Sequence, residues 1–474
     1  MLAETESKPL SDIRAVNESA QPQSVATSID AFLFYSLLAV IALAAIPYGT
    51  VEPWWKALFQ CLVFVLAGLT LIQRTLRGQA SGLNSRVYLP VLALIIFGLI
   101  QTIASPGTAG TQNVTKTLSA DVFQTRLFAI QLAALLLVSW MLAIHTSSRR
   151  RLRLLVDLII AIAVVSAIFG IVRQVSQHEP GFLLPYLRPG FGYAQFINSN
   201  HFAFLMEMAL GLALGIAVCR GVTGRRLAIY LLGAIPMWVA LILCGSRGGI
   251  LSILCQVFFL ALLFGTRRES KYVDQPRESW LSNTRMIAVR LVLIAAMLSA
   301  AVATVIFVGG DPLASKLDSV SVELNRKTAD TFVLRPNIWR ASWELIKDHP
   351  IAGVGFGAYR IAITKYHRGS GEATPQEAHN DYLDLLAGGG VIALAIVIWF
   401  GVEVFLAGRR KLRQADNYHR AVTLGAVAGI LTVSIHSLVD FGLHITINAV
   451  VFTALLTIVS FDLGATSVAR QSRP

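Results

Sequence analysis

Long apolar runs separated by short polar connections make up most of the chain. The runs are about 17 to 22 residues long, which is the length that an α-helix needs to cross the hydrocarbon core of a bilayer. This pattern predicts an all-α polytopic membrane protein with about 12 transmembrane helices. The predicted spans are residues 31–47, 55–73, 87–103, 127–145, 152–172, 202–218, 227–244, 248–264, 287–307, 390–407, 421–439 and 445–461.

The two ends of the chain are polar. The first 30 residues include Glu4, Glu6 and Asp12 and lack the basic start and short apolar core of a cleavable signal peptide, so the first span is interpreted as an uncleaved anchor. We predict a disordered cytoplasmic N-terminus at residues 1–30, N-terminal transmembrane helices at 31–184 and a cytoplasmic C-terminal tail at 462–474.

The basic residues indicate how the chain is oriented in the membrane. The chain carries a net charge of +13, a balance that nucleic-acid-binding proteins also show. Most of these cations, however, lie in alternate connections, and the positive-inside rule places those connections in the cytoplasm. We therefore predict a multi-pass bacterial inner-membrane protein with both termini cytoplasmic and no nucleic-acid partner. The basic connections are residues 74–86, 149–153, 220–226, 267–290 and 409–420.

One connection is long, at residues 309–389, and this orientation places it in the periplasm. Pro336 is suited to the first turn of a helix, and Pro350 lies where that helix must already have ended. Trp339, Trp343 and Ile346 would form one apolar stripe along it. The loop is therefore predicted to be helical and to rest on an apolar surface.

A second loop helix is predicted to begin at Thr374, with proline at the next position and Glu377 three residues after the cap. It is predicted to end at the glycine run 388–390. One face of this helix would carry His379 and Tyr382 together with two leucines. The pattern therefore predicts that an imidazole lies close to the membrane surface.

Three side chains on the predicted periplasmic side could bind an anionic substrate or catalyse its reaction. Arg247 lies between glycines at the start of a span, where a helix N-terminus and a guanidinium together suit a phosphate group, although an interfacial arginine can also extend to lipid headgroups. Arg335 precedes the Pro336 helix start and offers a second cation there. His379 could act as a general base beside a bound anion, or could be a half-buried structural histidine.

Polar residues also lie at the predicted outer ends of two spans. Asn200 and His201 precede the sixth span and could bind a ligand or cap the helix. His436, Asp440 and His444 straddle the outer end of the eleventh span. Ionisable groups inside a membrane are costly and therefore indicate a functional site. The alternative is a hydrogen-bonded pair that only holds two helices together.

No metal or other cofactor is predicted. The chain has no Asp-x-Asp motif, and its four cysteines lack metal-ligand spacing. The loop carboxylates form no spaced ligand cluster, and only Asp381 and Asp384 could pair. The glycine-rich run 350–357 is interpreted as a tight turn and not as a nucleotide-binding loop.

Six segments of the chain form an ordered pattern, namely 191–203, 245–249, 335–343, 348–357, 379–383 and 435–445. Together they resemble the O-antigen ligase family. The resemblance implies that residues 185–461 form an O-antigen ligase-like domain with the C-type glycosyltransferase architecture. Such an enzyme moves a glycan from undecaprenyl diphosphate to a hydroxyl of lipid A-core or a polysaccharide at the periplasmic face, without nucleotide or metal.

By position, the resemblance implies that His379 is the catalytic residue and that Arg247 and Arg335 bind the donor diphosphate. The chemistry agrees, because attack by a sugar hydroxyl needs a proton acceptor and departure of a diphosphate needs its negative charge stabilised. The candidate substrate-binding residues are Asn200, His201, Arg340, Asn380 and Tyr382.

Other functions remain open on the sequence alone. A polymerase that extends an O-antigen or exopolysaccharide would use the same displacement as a ligase, and a protein O-oligosaccharyltransferase is a third relative. A secondary transporter would need charges along a path at mid-membrane. Asp157, Glu207 and Glu403 are the candidates for such a path, and as predicted they lie in different spans without an evident partner.

Overall fold

The computed structural model describes residues 28–79, 86–103, 117–176, 192–265, 335–367, 374–414 and 416–463. Within these ranges the chain is helical and contains no strand beyond an isolated bridge between Tyr193 and Phe196. The all-α prediction is therefore confirmed. The helices are α1 Ser28–Leu43, α2 Pro53–Leu76, α3 Tyr88–Gln101, α4 Val122–His145, α5 Arg149–Ser176, α6 Ser199–Val218, α7 Arg225–Leu243, α8 Arg247–Gly265, α9 Arg335–Asp348, α10 Tyr359–Ala362, α11 Asp381–Gln414, α12 Asn417–His436 and α13 Thr446–Ser460.

Seven of these helices are long and apolar enough to cross a membrane, namely α2, α4, α5, α6, α7, α11 and α12. Four shorter apolar helices, α1, α3, α8 and α13, coincide with other predicted spans. The ninth predicted span, residues 287–307, lies outside the described residues, as does part of the predicted periplasmic loop. The protein is thus a helical membrane protein, while the count of twelve and the full loop stay predictions.

Helix α6 forms the centre of the bundle, and almost all of its side chains are buried. It packs against α12 through glycines, because a methyl group on Gly211 would lie only 2.7 Å from the backbone nitrogen of Gly429. Small residues allow two membrane helices to approach closely, so that van der Waals contact can hold them together without a hydrophobic driving force. The residues that begin α6 and follow α12 are thereby brought side by side.

Helix α9 begins at Arg335 and ends before Pro350, as predicted. Its buried face differs from the predicted stripe, because Ile338, Leu345 and Ile346 are buried while Trp343 is 50% exposed. Residues 338 and 343 are five apart, which turns their side chains about 140° from each other on a helix. The prediction that Trp343 lies on the buried face is therefore wrong.

The second loop helix, α11, begins at Asp381 and not at Thr374. Asn380 caps it, since its Oδ1 accepts hydrogen bonds from the backbone nitrogens of Tyr382 and Leu383 at 2.9 and 3.0 Å. The helix bends at Gly390, where φ is +59°, and continues to Gln414 as the next predicted span. His379 consequently precedes the helix, which corrects the prediction that it lies on the helical face.

The glycine-rich run 350–357 is a tight turn against the bend in α11. The backbone nitrogens of Val354 and Gly355 donate to the carbonyls of Ala387 and Gly388 at 2.8 and 2.9 Å. Gln101, buried at the end of α3, also donates to the Gly388 carbonyl at 2.8 Å. The loop is in this way joined to the membrane helices directly beside the segment that carries His379.

Candidate functional site

Asp440 is the centre of a polar cluster formed by distant parts of the chain. It lies in the connection between α12 and α13, and its side chain is fully buried. Its Oδ2 accepts a hydrogen bond from Nη2 of Arg335 at 3.0 Å and another from Nδ2 of Asn200. A buried carboxylate is stable only when such partners replace water, so Asp440 ties the start of α9 to the start of α6.

Two histidines approach the other oxygen of Asp440. Nδ1 of His379 lies 3.7 Å and Nε2 of His201 lies 3.9 Å from Oδ1. Burial raises the pKa of Asp440, but the proximity of His379, His201 and Arg335 outweighs this effect and lowers the pKa to about 2. The ring of Phe441 lies between the histidines, with its centroid 4.8 Å from each.

The ionised Asp440 favours one tautomer of His379. A carboxylate beside Nδ1 favours a proton on that nitrogen, which leaves the lone pair of the neutral ring on Nε2. The side chain of His379 is 32% exposed, so a substrate can reach the ring. The pair therefore has the arrangement of a histidine base oriented by a carboxylate.

The backbone at His379 is held in an uncommon conformation, with φ of +51°. Residues other than glycine rarely adopt this region, and strain of this kind persists only where neighbouring contacts hold it. Here the Ala378 nitrogen donates to Asp384 at 3.1 Å, and Nδ2 of Asn380 donates to the Leu438 carbonyl at 2.8 Å. His379 is thus fixed on both sides, toward Asp440.

Arg247 is exposed at the first position of α8. The next residue, Gly248, packs against His436 and Val439, and Val439 is the neighbour of Asp440 in the chain. The start of α8 therefore lies beside the segment that carries Asp440. The structure brings the backbone of Arg247 near the cluster that contains His379 and Arg335.

Two buried ionisable residues lie beside the polar cluster around Asp440, and their pairing is not evident from the sequence. Glu207 in α6 and His436 at the end of α12 share a hydrogen bond of 2.7 Å, and neither is accessible to solvent. From the sequence, His436 is grouped with Asp440 and His444, and Glu207 has no evident partner. Glu207 is a carboxylate in an otherwise apolar run, and this feature could have indicated that it has a buried polar partner.

His444 forms a second ionic cluster next to the first. Its Nδ1 lies 3.3 Å from Glu377 and its Nε2 lies 3.6 Å from Asp381. Desolvation of the ring lowers its pKa, but Glu377, Asp381 and Asp384 outweigh this effect and raise the pKa to about 10. The ring is therefore a cation at neutral pH and balances the charge of these carboxylates.

The same cluster corrects the expectation that the loop carboxylates form no ligand cluster. Glu377, Asp384 and His444 each offer one ligand atom, and these atoms lie within 4.8 Å of one another. Sequence spacing predicts only a pair of Asp381 and Asp384, because His444 comes from another segment and shares no local spacing with them. Metal binding would require a neutral His444, whereas a protonated His444 forms an ionic cluster with the same carboxylates.

The other candidate residues have structural contacts. His201 is buried in the first turn of α6, which Asn198 caps, and Asn380 caps α11. The hydroxyl of Tyr382 donates to the Ser434 carbonyl at 2.8 Å. Arg340 is exposed on a different face of α9 from Arg335. Substrate binding by Asn200, His201, Arg340, Asn380 and Tyr382 stays a prediction.

The acidic residues considered for a transport path each have a partner. Glu207 binds His436, Asp157 accepts a hydrogen bond from the Tyr230 hydroxyl at 2.6 Å, and Glu403 accepts one from the Trp399 indole at 3.3 Å. The expectation that they have no evident partner is therefore wrong.

Comparison with known proteins finds a family similarity for the middle part of the chain. Residues 232–398 match the family model described as O-antigen ligase. No curated protein matches the chain. The matched segment contains Arg247, Arg335 and His379, three of the residues that the structure places around or beside Asp440. Residues 232–398 are therefore similar to the O-antigen ligase family, within a chain whose long apolar helices are those of a membrane protein.

Proposed function

We propose that this enzyme transfers a glycan from undecaprenyl diphosphate to an acceptor hydroxyl at the periplasmic face of the inner membrane. The acceptor is lipid A-core or a growing polysaccharide. The observation that carries the proposal is the convergence of His379 and Arg335 on the buried carboxylate of Asp440. This arrangement combines a base with a cation, and the displacement of a diphosphate by a hydroxyl requires both.

His379 removes the proton of the acceptor hydroxyl. As that oxygen attacks the anomeric carbon, the bond between this carbon and the diphosphate oxygen breaks, and undecaprenyl diphosphate leaves. The proton moves to Nε2, because Asp440 favours the other nitrogen as the proton carrier in the resting enzyme. Asp440 also stabilises the imidazolium that forms.

Arg335 and Arg247 bind the diphosphate and balance the charge that grows on it as it leaves. Arg335 uses one amino group for Asp440 and is 39% exposed, so further donors of its guanidinium remain for phosphate oxygens. Arg247 lies at the N-terminus of α8, where the helix dipole favours an anion. With two guanidinium groups to balance the diphosphate charge, the mechanism needs no metal ion.

A reconstituted reaction tests this function. The purified enzyme, given a glycan on undecaprenyl diphosphate and a glycan acceptor, should release undecaprenyl diphosphate and lengthen the acceptor. Failure to release the lipid diphosphate from any such donor would contradict the proposal.

Chemical analysis of the surface polysaccharide from a deletion strain would distinguish a ligase from a polymerase. Long chains that accumulate on undecaprenyl diphosphate indicate a ligase, because assembled glycan is not passed on. Single repeat units on the lipid indicate a polymerase. No feature of the described residues favours a transporter, since the membrane carboxylates Asp157, Glu207 and Glu403 are each hydrogen-bonded.

A further inference from the structure

A cavity of about 360 Å³ lies at the end of α11 that is farthest from His379. Glu403, the first residue of α11 that lines the cavity, follows the start of the helix at Asp381 by 22 residues, so about 33 Å of helix, with its bend at Gly390, lies between the cavity and the candidate active site. Its walls come from the segment just before α3 and from the last turns of α11. The lining residues are Arg86, Glu403, Leu406, Arg409, Arg410 and Arg413.

Four arginines and one glutamate make this cavity strongly basic. All four arginines are exposed, and within the described ranges none of them forms an ion pair with a carboxylate. Glu403 is engaged with the indole of Trp399. The cavity therefore has an excess of positive charge that its own residues do not neutralise.

Lys411, which lies between the arginines in the chain, does not line the cavity. Its side chain is buried, and its Nζ donates to the carbonyl of Phe461 at 2.6 Å and to that of Ile458. The helix thus directs one basic side chain into the protein, while Arg409, Arg410 and Arg413 line the cavity.

An apolar stripe continues from the cavity along the same face of α11. Trp399, Val402 and Leu406 are spaced three and four residues apart and are 40%, 49% and 43% exposed. This part of α11 is long and apolar enough to cross a membrane. A ligand with an anionic head and apolar chains would match both the cavity and the stripe.

We propose that this cavity binds the phosphodiester headgroup of an anionic phospholipid, whose acyl chains lie along the stripe. Basic pockets between membrane helices are suited to such headgroups. Free phosphate is also an anion, but it has no apolar chain that could cover the stripe. Because four cations face one carboxylate, a lipid with two phosphodiester groups is expected to bind more tightly than a lipid with one.

Native mass spectrometry of the delipidated full-length protein tests the proposal. Diphosphatidylglycerol and phosphatidylglycerol should be retained, in that order of affinity, and phosphatidylcholine should not. The double variant Arg409→Gln/Arg413→Gln should bind the anionic lipids about 25-fold more weakly, since each cation near a lipid headgroup contributes about fivefold. Arg86→Gln, in a separate segment, should weaken binding about fivefold.

The matched control is Arg225→Gln/Arg226→Gln, which removes two exposed arginines from the start of α7. It has the same net charge as the test variant and should keep the wild-type affinity. Equal retention of phosphatidylcholine, or equal loss in the control, would overturn the proposal. Displacement of the lipid by millimolar inorganic phosphate would also overturn it and would indicate a site for free anions.

Discussion

Nδ1 of His436 lies 2.7 Å from Oε1 of Glu207, and both side chains are buried where α6 and α12 meet. His436 also stacks on Phe204, with the two ring centroids 4.2 Å apart. Its Nε2 faces Gly248, the residue that follows Arg247. The imidazole ring is thus held by two neighbours and fills the space beside the start of α8.

Gly248→Ala should therefore displace the start of α8. The new methyl group would lie 2.5 Å from Nε2 of His436, a ring that cannot swing away without breaking its bond to Glu207. Such overpacking costs about 1–3 kcal/mol, and we expect a lower unfolding temperature and weaker binding of the lipid-diphosphate donor.

The matched control for that variant is Gly68→Ala in α2, where no atom lies within 4 Å of the new methyl group. It should leave both the unfolding temperature and donor binding unchanged or slightly improved. Wild-type donor affinity in Gly248→Ala would show that the position of Arg247 does not depend on this contact.

His379→Ala should leave the protein folded and inserted but remove most glycan transfer. A positioned general base contributes about 10²- to 10⁴-fold to a rate, and the initial rate of undecaprenyl diphosphate release measures the loss. His349→Ala, on the same loop and exposed, is the control and should keep the wild-type rate. Near-normal transfer by well-expressed His379→Ala would remove this residue from the mechanism.

Arg335→Lys should reduce transfer by about 10- to 100-fold, because an ammonium group cannot bind Asp440 and the phosphate oxygens with one planar fork. Arg247→Lys is expected to behave in the same way. Arg360→Lys changes an exposed arginine of the same loop and should have no effect on the rate. Full activity with lysine at position 247 or 335 would mean that the site needs only general positive charge.

The cluster around His444 should stabilise the fold in a pH-dependent way. Folding raises the pKa of His444 from 6.5 to about 10, so its stabilising effect is fully present below pH 6.5 and is lost as the pH rises through about 10. The unfolding temperatures of the wild type and His444→Gln should therefore differ most at about pH 6.5 and below.

That difference in unfolding temperature should narrow toward pH 10.5, where both proteins lack the cation. His349→Gln replaces an exposed histidine and should unfold like the wild type at every pH. A difference that stays constant across this range would mean that His444 acts through packing and not through its charge.

Transfer should persist in excess EDTA, because Arg247 and Arg335 supply the positive charge and His444 is protonated within its carboxylate cluster. The measurement is the rate of transfer before and after chelation. If activity is lost in EDTA and returns with Mg²⁺ or Mn²⁺, the arginine-based mechanism is incorrect, and Glu377, Asp384 and His444 become the candidate ligands.

The sequence by itself determined the helices and most of the chemical groups. An apolar run long enough to cross a bilayer must satisfy its backbone internally, so its length and composition are sufficient to predict a membrane helix. The start of α9 at Arg335 followed from Pro336 in the same local way. Arg247, Arg335 and His379 stood out because cations and an imidazole are unusual beside apolar spans.

Only the tertiary structure decided how these groups meet. Asn200 and Asp440 are 240 residues apart, and Glu207 and His436 are 229 apart, so no local periodicity could pair them. His379 lies before α11 because Asn380 caps the helix, while Glu377, expected three residues after a cap at Thr374, contacts His444 from another segment. The close packing of α6 on α12 brings these distant segments together, and it depends on contacts between helices that a one-dimensional pattern does not contain.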